Sequence, residues 1–133
     1  MRTALKQAGI LMLAAGLAAL VAVWAIPWKD TAQEGDITLA AALKLQPPPL
    51  WIDARPAAEY HNEHIPGALS LNEEGYDQLV PKVLEQWEPD RTAVVYCDSP
   101  AARDSREVAE RLRDFKLGPV FVLQGGWQAW KQK

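Results

Sequence analysis

The sequence predicts an α/β domain in which a mostly parallel sheet is covered by helices on both faces, preceded by one N-terminal transmembrane helix. Three observations predict it. Short apolar runs bounded by turn residues alternate with segments of helical period along residues 37–133, the pattern of consecutive βαβ units. One of these runs, Thr92 to Tyr96, is apolar enough throughout to be a central strand buried on both faces. Between Lys6 and Lys29, 22 consecutive residues carry no charge, and about 20 apolar residues at a rise of 1.5 Å each suffice to cross a hydrocarbon core.

The chain therefore divides into residues 1–28, a membrane anchor or signal segment, residues 29–36, a polar tether, and residues 37–133, the folded domain. Arg2 and Lys6 precede the apolar run, whereas Lys29, Asp30, Glu34 and Asp36 follow it. The positive-inside bias then puts the N-terminus in the cytoplasm and the domain on the periplasmic or other extracytoplasmic side. Val23, Trp24 and Ala25 offer a poor cleavage site, and the run exceeds the ~7–15 residues of a cleavable signal core. Trp24 and Trp28 suit an interfacial aromatic belt. These features favour an uncleaved single-pass anchor with the membrane as its partner; cleavage would release a secreted domain.

Beyond Lys6 the chain has 12 basic and 17 acidic residues, a net charge of -5, which argues against nucleic acid as a partner. No cofactor or metal is expected. With one cysteine no internal disulfide can form, so a thiol in an oxidising compartment becomes a candidate reactive group.

The elements follow in order. Thr38 is a plausible N-cap for a helix over residues 39–45, which Pro47, Pro48 and Pro49 end as a rigid connector. Leu50 to Asp53 reads as a buried strand. Pro56 suits the first position of a short helix reaching His61, and His64 to Gly67 forms a turn; His61 and His64 read as ordinary turn residues. Ala68 to Leu71 is a second strand. From Glu73 to Trp87, Leu79, Val80, Val83, Leu84 and Trp87 have helical spacing, with Pro81 dividing the segment into two turns or short helices. After the Thr92 to Tyr96 strand, Val108, Ala109, Leu112 and Phe115 form the apolar face of a helix ending near Gly118 and Pro119. Its arginines Arg106, Arg111 and Arg113 fall on a solvated face. Val120 to Leu123 is a further strand, and Gly125 and Gly126 open a last helix over Trp127 to Lys131.

The candidate site lies where the central strand ends. Val94 to Ser105, VVYCDSPAARDS, brings an apolar run to the single cysteine, then a polar loop, then a helix. Cys97 is thereby placed at a strand's carboxyl end facing a helix N-terminus. Open α/β sheets bind ligands there, and the N–H groups of a helix start stabilise a thiolate. Asp53 and Arg55 follow a neighbouring strand and can line the same crevice.

Three stretches resemble rhodanese-like domains. They are Trp51 to Leu71 (WIDARPAAEYHNEHIPGALSL), similar to the family's D-x-R…E-[YF]…G-H-I-P-G-A signature, the strand ending in Cys97, and Val122 to Trp130 (VLQGGWQAW). The resemblance covers about Ile37 to Lys131. It implies a five-stranded sheet and a sulfurtransferase that passes sulfane sulfur through a Cys97 persulfide, from a donor such as thiosulfate or a persulfidated protein to a thiol acceptor or reductant. By the same resemblance Asp98, Ser99, Ala101, Ala102 and Arg103 form the cradle around the sulfur, Arg103 and Arg55 offer positive charge to the donor, and Asp53 is structural support.

The cradle departs from the family's commoner Cys-x4-Arg-Ser loop: Arg103 follows five intervening residues, and no glycine is present. Two alternatives stay open. One is a rhodanese-fold module that binds a partner or senses redox state without turnover. The other is Cys-x5-Arg phosphatase or arsenate reductase chemistry, opposed by Pro100, which has no N–H, by Asp98, which repels a dianion, and by the lack of a second, resolving cysteine.

Overall fold

The computed structural model describes residues 35–98 and 103–133. The expected anchor, nearly all of the tether, Ser99 to Ala102 of the loop and the side chain of Arg103 lie outside the described residues. Among the described residues no helix is long and apolar enough to cross a membrane.

Five strands form one sheet: β1 (Asp36–Ile37), β2 (Leu50–Asp53), β3 (Leu69–Ser70), β4 (Ala93–Tyr96) and β5 (Val120–Leu123). Their order is β1-β5-β4-β2-β3, and every pairing is parallel. β4 is central, as its apolar sequence requires. β1 is the strand that the residues themselves do not announce, because two residues are too few for any periodicity. It takes Gly35 and Asp36 out of the tether and into the domain, through Val122 N–H to Gly35 O and Gln124 N–H to Ile37 O, each 2.9 Å.

Among the described residues five helices cover the sheet: α1 (Leu39–Leu43), α2 (Ala57–Asn62), α3 (Tyr76–Gln86), α4 (Arg103–Arg113) and α5 (Gly126–Lys131). Alternation along the strands splits the core in two. Leu50, Ile52, Ala93, Val95, Val120 and Val122 face α3 and α4, where Val83, Val108, Ala109 and Leu112 are fully buried. Trp51, Val94, Tyr96 and Leu123 face the other way, against Ala42 of α1 and Trp127 of α5. Thr38 caps α1 as its sequence suggests, its Oγ1 accepting from Ala41 N–H at 3.2 Å. The triple-proline connector is tied to the β4 side by Arg91, whose Nε donates to the Pro48 carbonyl at 3.0 Å.

Three expectations are corrected. Pro81 does not divide the segment: α3 runs unbroken through it. Proline removes one helical hydrogen bond, here the one to Asp77, and both residues are exposed so that water can satisfy the carbonyl. The apolar face that includes Val83 holds the helix together. Phe115 lies beyond the end of α4 and is 42% exposed rather than part of its buried face. Of the arginines of α4, Arg111 and Arg113 are exposed as expected, but Arg106 is half-buried and not merely solvated. Arg106 binds Asp36 through two hydrogen bonds of 2.9 and 3.2 Å, Arg111 lies 4.7 Å over the Tyr76 ring, and Arg113 donates to the Val120 carbonyl at 3.0 Å.

The strand order also fixes where a site can form. From β2 the chain moves outward to β3; from β4 it moves the opposite way, to β5. The loops after β2 and β4 therefore part, and a crevice opens between them at the carboxyl ends of adjacent strands.

Candidate functional site

Cys97 is the first residue after β4, and it is 7% exposed. Its backbone is held from the far end of the chain. Trp127 N–H donates to the Cys97 carbonyl at 2.8 Å. Gly126, at φ +52°, lies so close that a Cβ there would overlap the Cys97 carbonyl oxygen. Gly125, at φ +74°, turns the chain into α5 in the left-handed conformation that glycine adopts without a steric cost. In the sequence this pair opens a helix and falls within the family-like stretch VLQGGWQAW, neither of which announces the contact with Cys97. Its signal was two successive glycines where a helix start ordinarily takes Ser, Thr, Asp or Asn.

The β2 side supplies a buried polar network. Asp53 is fully buried, and Arg55 is 4% exposed. Asp53 Oδ1 accepts from the Arg55 backbone N–H at 2.9 Å and from Nε at 3.1 Å, and Oδ2 accepts from Nη2 at 2.8 Å. The Tyr96 hydroxyl donates to the same Oδ2 at 2.9 Å and accepts from Ile65 N–H at 3.2 Å. Arg55 Nη2 also reaches the Glu63 carbonyl at 2.6 Å, and the guanidinium lies 4.4 Å from the Trp127 ring centroid. Burial opposes the Arg55 charge, but the hydrogen bonds and charge of Asp53, aided by Tyr96 and Glu59, hold its pKa above the ordinary value. Burial drives the Tyr96 phenol well above its ordinary range; the Ile65 N–H pulls it down, and Asp53 pushes it further up.

These two groups meet at a cleft of ≈ 210 Å³ lined by Arg55, Glu59, Asn62, Glu63, Asp98 and residues of α5 including Trp127 and Lys131. Of the residues singled out from sequence, Arg55 and Asp98 line the cleft, and Asp53 lies buried beneath Arg55. Cys97 sits one residue from it. Ser99, Ala101 and Ala102 lie outside the described residues. So does the Arg103 side chain, although its backbone begins α4. The geometry of the Cys-x5-Arg ring rests on those positions. His64 stacks on Tyr60 at 4.0 Å, and its Nδ1 lies 2.7 Å from the Tyr60 carbonyl, while the Tyr60 hydroxyl donates to the Ala68 carbonyl at 2.7 Å. This clamp shapes the turn before β3.

Sequence reasoning missed Glu59, Asn62, Glu63, Trp127 and Lys131 as cleft residues. They belong to α2, its C-cap Glu63, and α5, which share a wall only because of the strand order.

Known proteins agree with this architecture. The rhodanese-like domain family matches residues 38–133. The uncharacterized protein slr1261 of Synechocystis sp. is 34% identical over 90 residues, 68% of this chain; the chain spans about half the length of that curated relative, 47%. Among solved structures, the thiosulfate sulfurtransferase of Pseudomonas aeruginosa is 26% identical with a TM-score of 0.59, over 75% of this chain and 18% of that one. The rhodanese-like domain of the Anabaena sp. Alr3790 protein is likewise 26% identical, with a TM-score of 0.57 over 75% of both chains. A cysteine closing the central strand of a parallel sheet, a matched sequence over nearly the whole described domain and shared folds converge, and the chain belongs to the rhodanese-like domain family.

Proposed function

We propose that this protein is a sulfurtransferase that carries sulfane sulfur as a persulfide on Cys97. The observation that supports it is the position of the cysteine: it closes the central strand, its carbonyl is fixed by Trp127 N–H at 2.8 Å, and the next residue lines a cleft. In the first half-reaction the Cys97 thiolate attacks the outer sulfur of the donor. The donor's S–S bond breaks, and the leaving group departs with the electron pair, as sulfite when the donor is thiosulfate. An acceptor thiolate then attacks the outer sulfur of the persulfide and returns the Cys97 thiolate. The donor is a small sulfur-containing anion or a persulfidated protein; the acceptor is a thiol. With no second cysteine in the chain, an external thiol clears any oxidised Cys97.

Incubating the full chain with thiosulfate and other sulfane donors tests this. Mass spectrometry is expected to find one added sulfur atom on the Cys97 peptide, absent in Cys97→Ser; failure with every donor overturns the reading. The burial of Cys97, 7% exposed, favours a second reading, a module that binds a partner or senses redox state without turnover, for which Cys97→Ser retains the cellular role.

We also propose that residues 1–28 anchor the domain on the extracytoplasmic side of a membrane, supported by the 22-residue uncharged run. The full chain is expected to stay with carbonate-washed membranes and to be cleaved by protease added outside intact cells. Recovery in the wash overturns the anchor.

A further inference from the structure

A second cavity, of ≈ 230 Å³, opens at the β3 margin of the sheet, between α2 and α3. Its walls come from segments described throughout, and β2 separates β3 from β4 and from the loop after Cys97. The lining is mostly apolar, with Tyr60 from α2, Leu69 from β3, and Leu79 and Val83 from α3. Ser70, Asn72, His61 and Lys82 add polar groups, and among the described lining residues none is acidic. The chain as a whole carries a net charge of -3, so this is a local reversal of its balance.

The polar groups present hydrogen-bond donors. Asn72 is 8% exposed, and its Oδ1 accepts from Gly75 N–H at 2.7 Å. That bond fixes which end of the amide is oxygen. It leaves Nδ2 as a donor that no described residue accepts from. Among the described residues every fully buried side-chain nitrogen has a partner, so Nδ2 reaches accessible space, which the cavity lined by Asn72 supplies. The margin of the sheet adds a second donor. Leu71 N–H bonds inward to the Asp53 carbonyl at 2.8 Å, and successive residues of a strand bond to opposite sides, so Ser70 N–H faces the open edge. Lys82 stands exposed on α3 and has no ion-pair partner among the described residues. The Tyr60 hydroxyl is already engaged with the Ala68 carbonyl at 2.7 Å, so Tyr60 offers the cavity its ring.

Apolar walls beside converging donors call for a ligand with an apolar body and an oxyanion. An inorganic anion leaves Leu69, Leu79 and Val83 in water. A neutral apolar molecule covers the Asn72 donor without accepting from it, and a buried donor left unmatched costs free energy. A peptide strand finds only the two residues of β3 to pair with. The volume lies below the ~300–1,000 Å³ usual for drug-sized ligands, which restricts the body to a single ring or a branched chain.

We propose that this cavity binds a small monocarboxylate with a compact apolar body, aromatic or branched aliphatic. The body lies against Leu69, Leu79 and Val83, while the carboxylate accepts from Ser70 N–H and Asn72 Nδ2 and pairs with Lys82. The site uses neither Cys97 nor the residues after it, so it stands or falls independently of sulfur transfer.

The test titrates the isotope-labelled full chain, followed by heteronuclear NMR, with three probes. They are benzoate, benzamide, which keeps the ring and loses the charge, and acetate, which keeps the charge and loses the ring. Benzoate is expected to shift the Ser70 backbone amide and the Asn72 side-chain amide saturably. It is expected to bind about tenfold more tightly than either other probe, as about 1.4 kcal/mol gives. Asn72→Asp keeps the acceptor for Gly75 N–H and replaces the donor by a carboxylate oxygen, while Lys82→Gln removes only a surface charge. Each is expected to weaken benzoate about tenfold, the loss of one hydrogen bond to a charged group, with amide shifts elsewhere in the sheet unchanged. Shifts that do not saturate, benzoate binding no tighter than benzamide or acetate, or an affinity that neither substitution lowers overturns the proposal.

Discussion

At Asp53 one buried carboxylate satisfies the Arg55 backbone, the Arg55 guanidinium and the Tyr96 hydroxyl together. Removing one partner of a buried ion pair leaves an uncompensated charge, which costs about 3–5 kcal/mol. Asp53→Ala is therefore expected to lower stability by an amount in that range, read as a shift of the urea midpoint. Tyr96 adds a pH dependence. Its folded-state pKa is raised, so the stability it contributes is complete below the unfolded-state value of about 10 and is lost as pH rises beyond it. Urea midpoints taken between about pH 8 and about pH 11 are expected to fall at the alkaline end, and Tyr96→Phe to flatten that fall. Gly126→Ala puts a side chain against the Cys97 carbonyl at a positive φ. It is expected to destabilise the fold by more than the ~1–3 kcal/mol of the backbone conformation alone, and to slow sulfur loading of Cys97 together with the loss of stability. The positions of Cys97, Asp53 and Arg55 at the ends of β4 and β2 were legible because strand ends and a motif mark them. The grip of Trp127 and Gly126 on Cys97 was not, since it joins positions about thirty residues apart through a hydrogen bond that no periodicity records.

Among the elements, β1 depends on a charge pair. The Asp36 side chain is 6% exposed and held by both terminal nitrogens of Arg106. Leaving a nearly buried carboxylate without its charged donor costs more than a surface substitution does, about 1–3 kcal/mol. Arg106→Ala is therefore expected to lower stability by about that much and to speed amide exchange at Gln124 and Val122, which bond into the first strand, before amides of the central strand respond. Strands β2 and β5 were legible to the residue because short apolar runs, three residues closed by Asp53 in β2 and four in β5, each follow a proline. α3 was misread because proline was weighed as a breaker, whereas the buried face below it outweighs one missing hydrogen bond.

At the scale of the molecule, the order of strands does what no single element does: it brings the loops after β2 and β4 and the start of α5 to one end. The class of fold was legible from alternating elements, but the order was not, because parallel neighbours are set by which faces must be covered and not by local pattern. α5 covers Trp51 and Tyr96 through Trp127 and Trp130. Truncation before Gly126 is expected to abolish cooperative unfolding and the near-ultraviolet circular dichroism of the packed aromatic rings.

The sheet tapers from four-residue strands at its middle to two-residue strands, β1 and β3, at both margins. A second sheet docking along either margin would gain a ladder of only two residues before meeting the cap of α1 or the turn at Asn72, where the side chain already accepts from Gly75 N–H at 2.7 Å. Long open edges are what seed chain-to-chain strand addition, and very short ones deny it a template. The taper thus protects an otherwise open sheet from fibril-like self-association by its short margins.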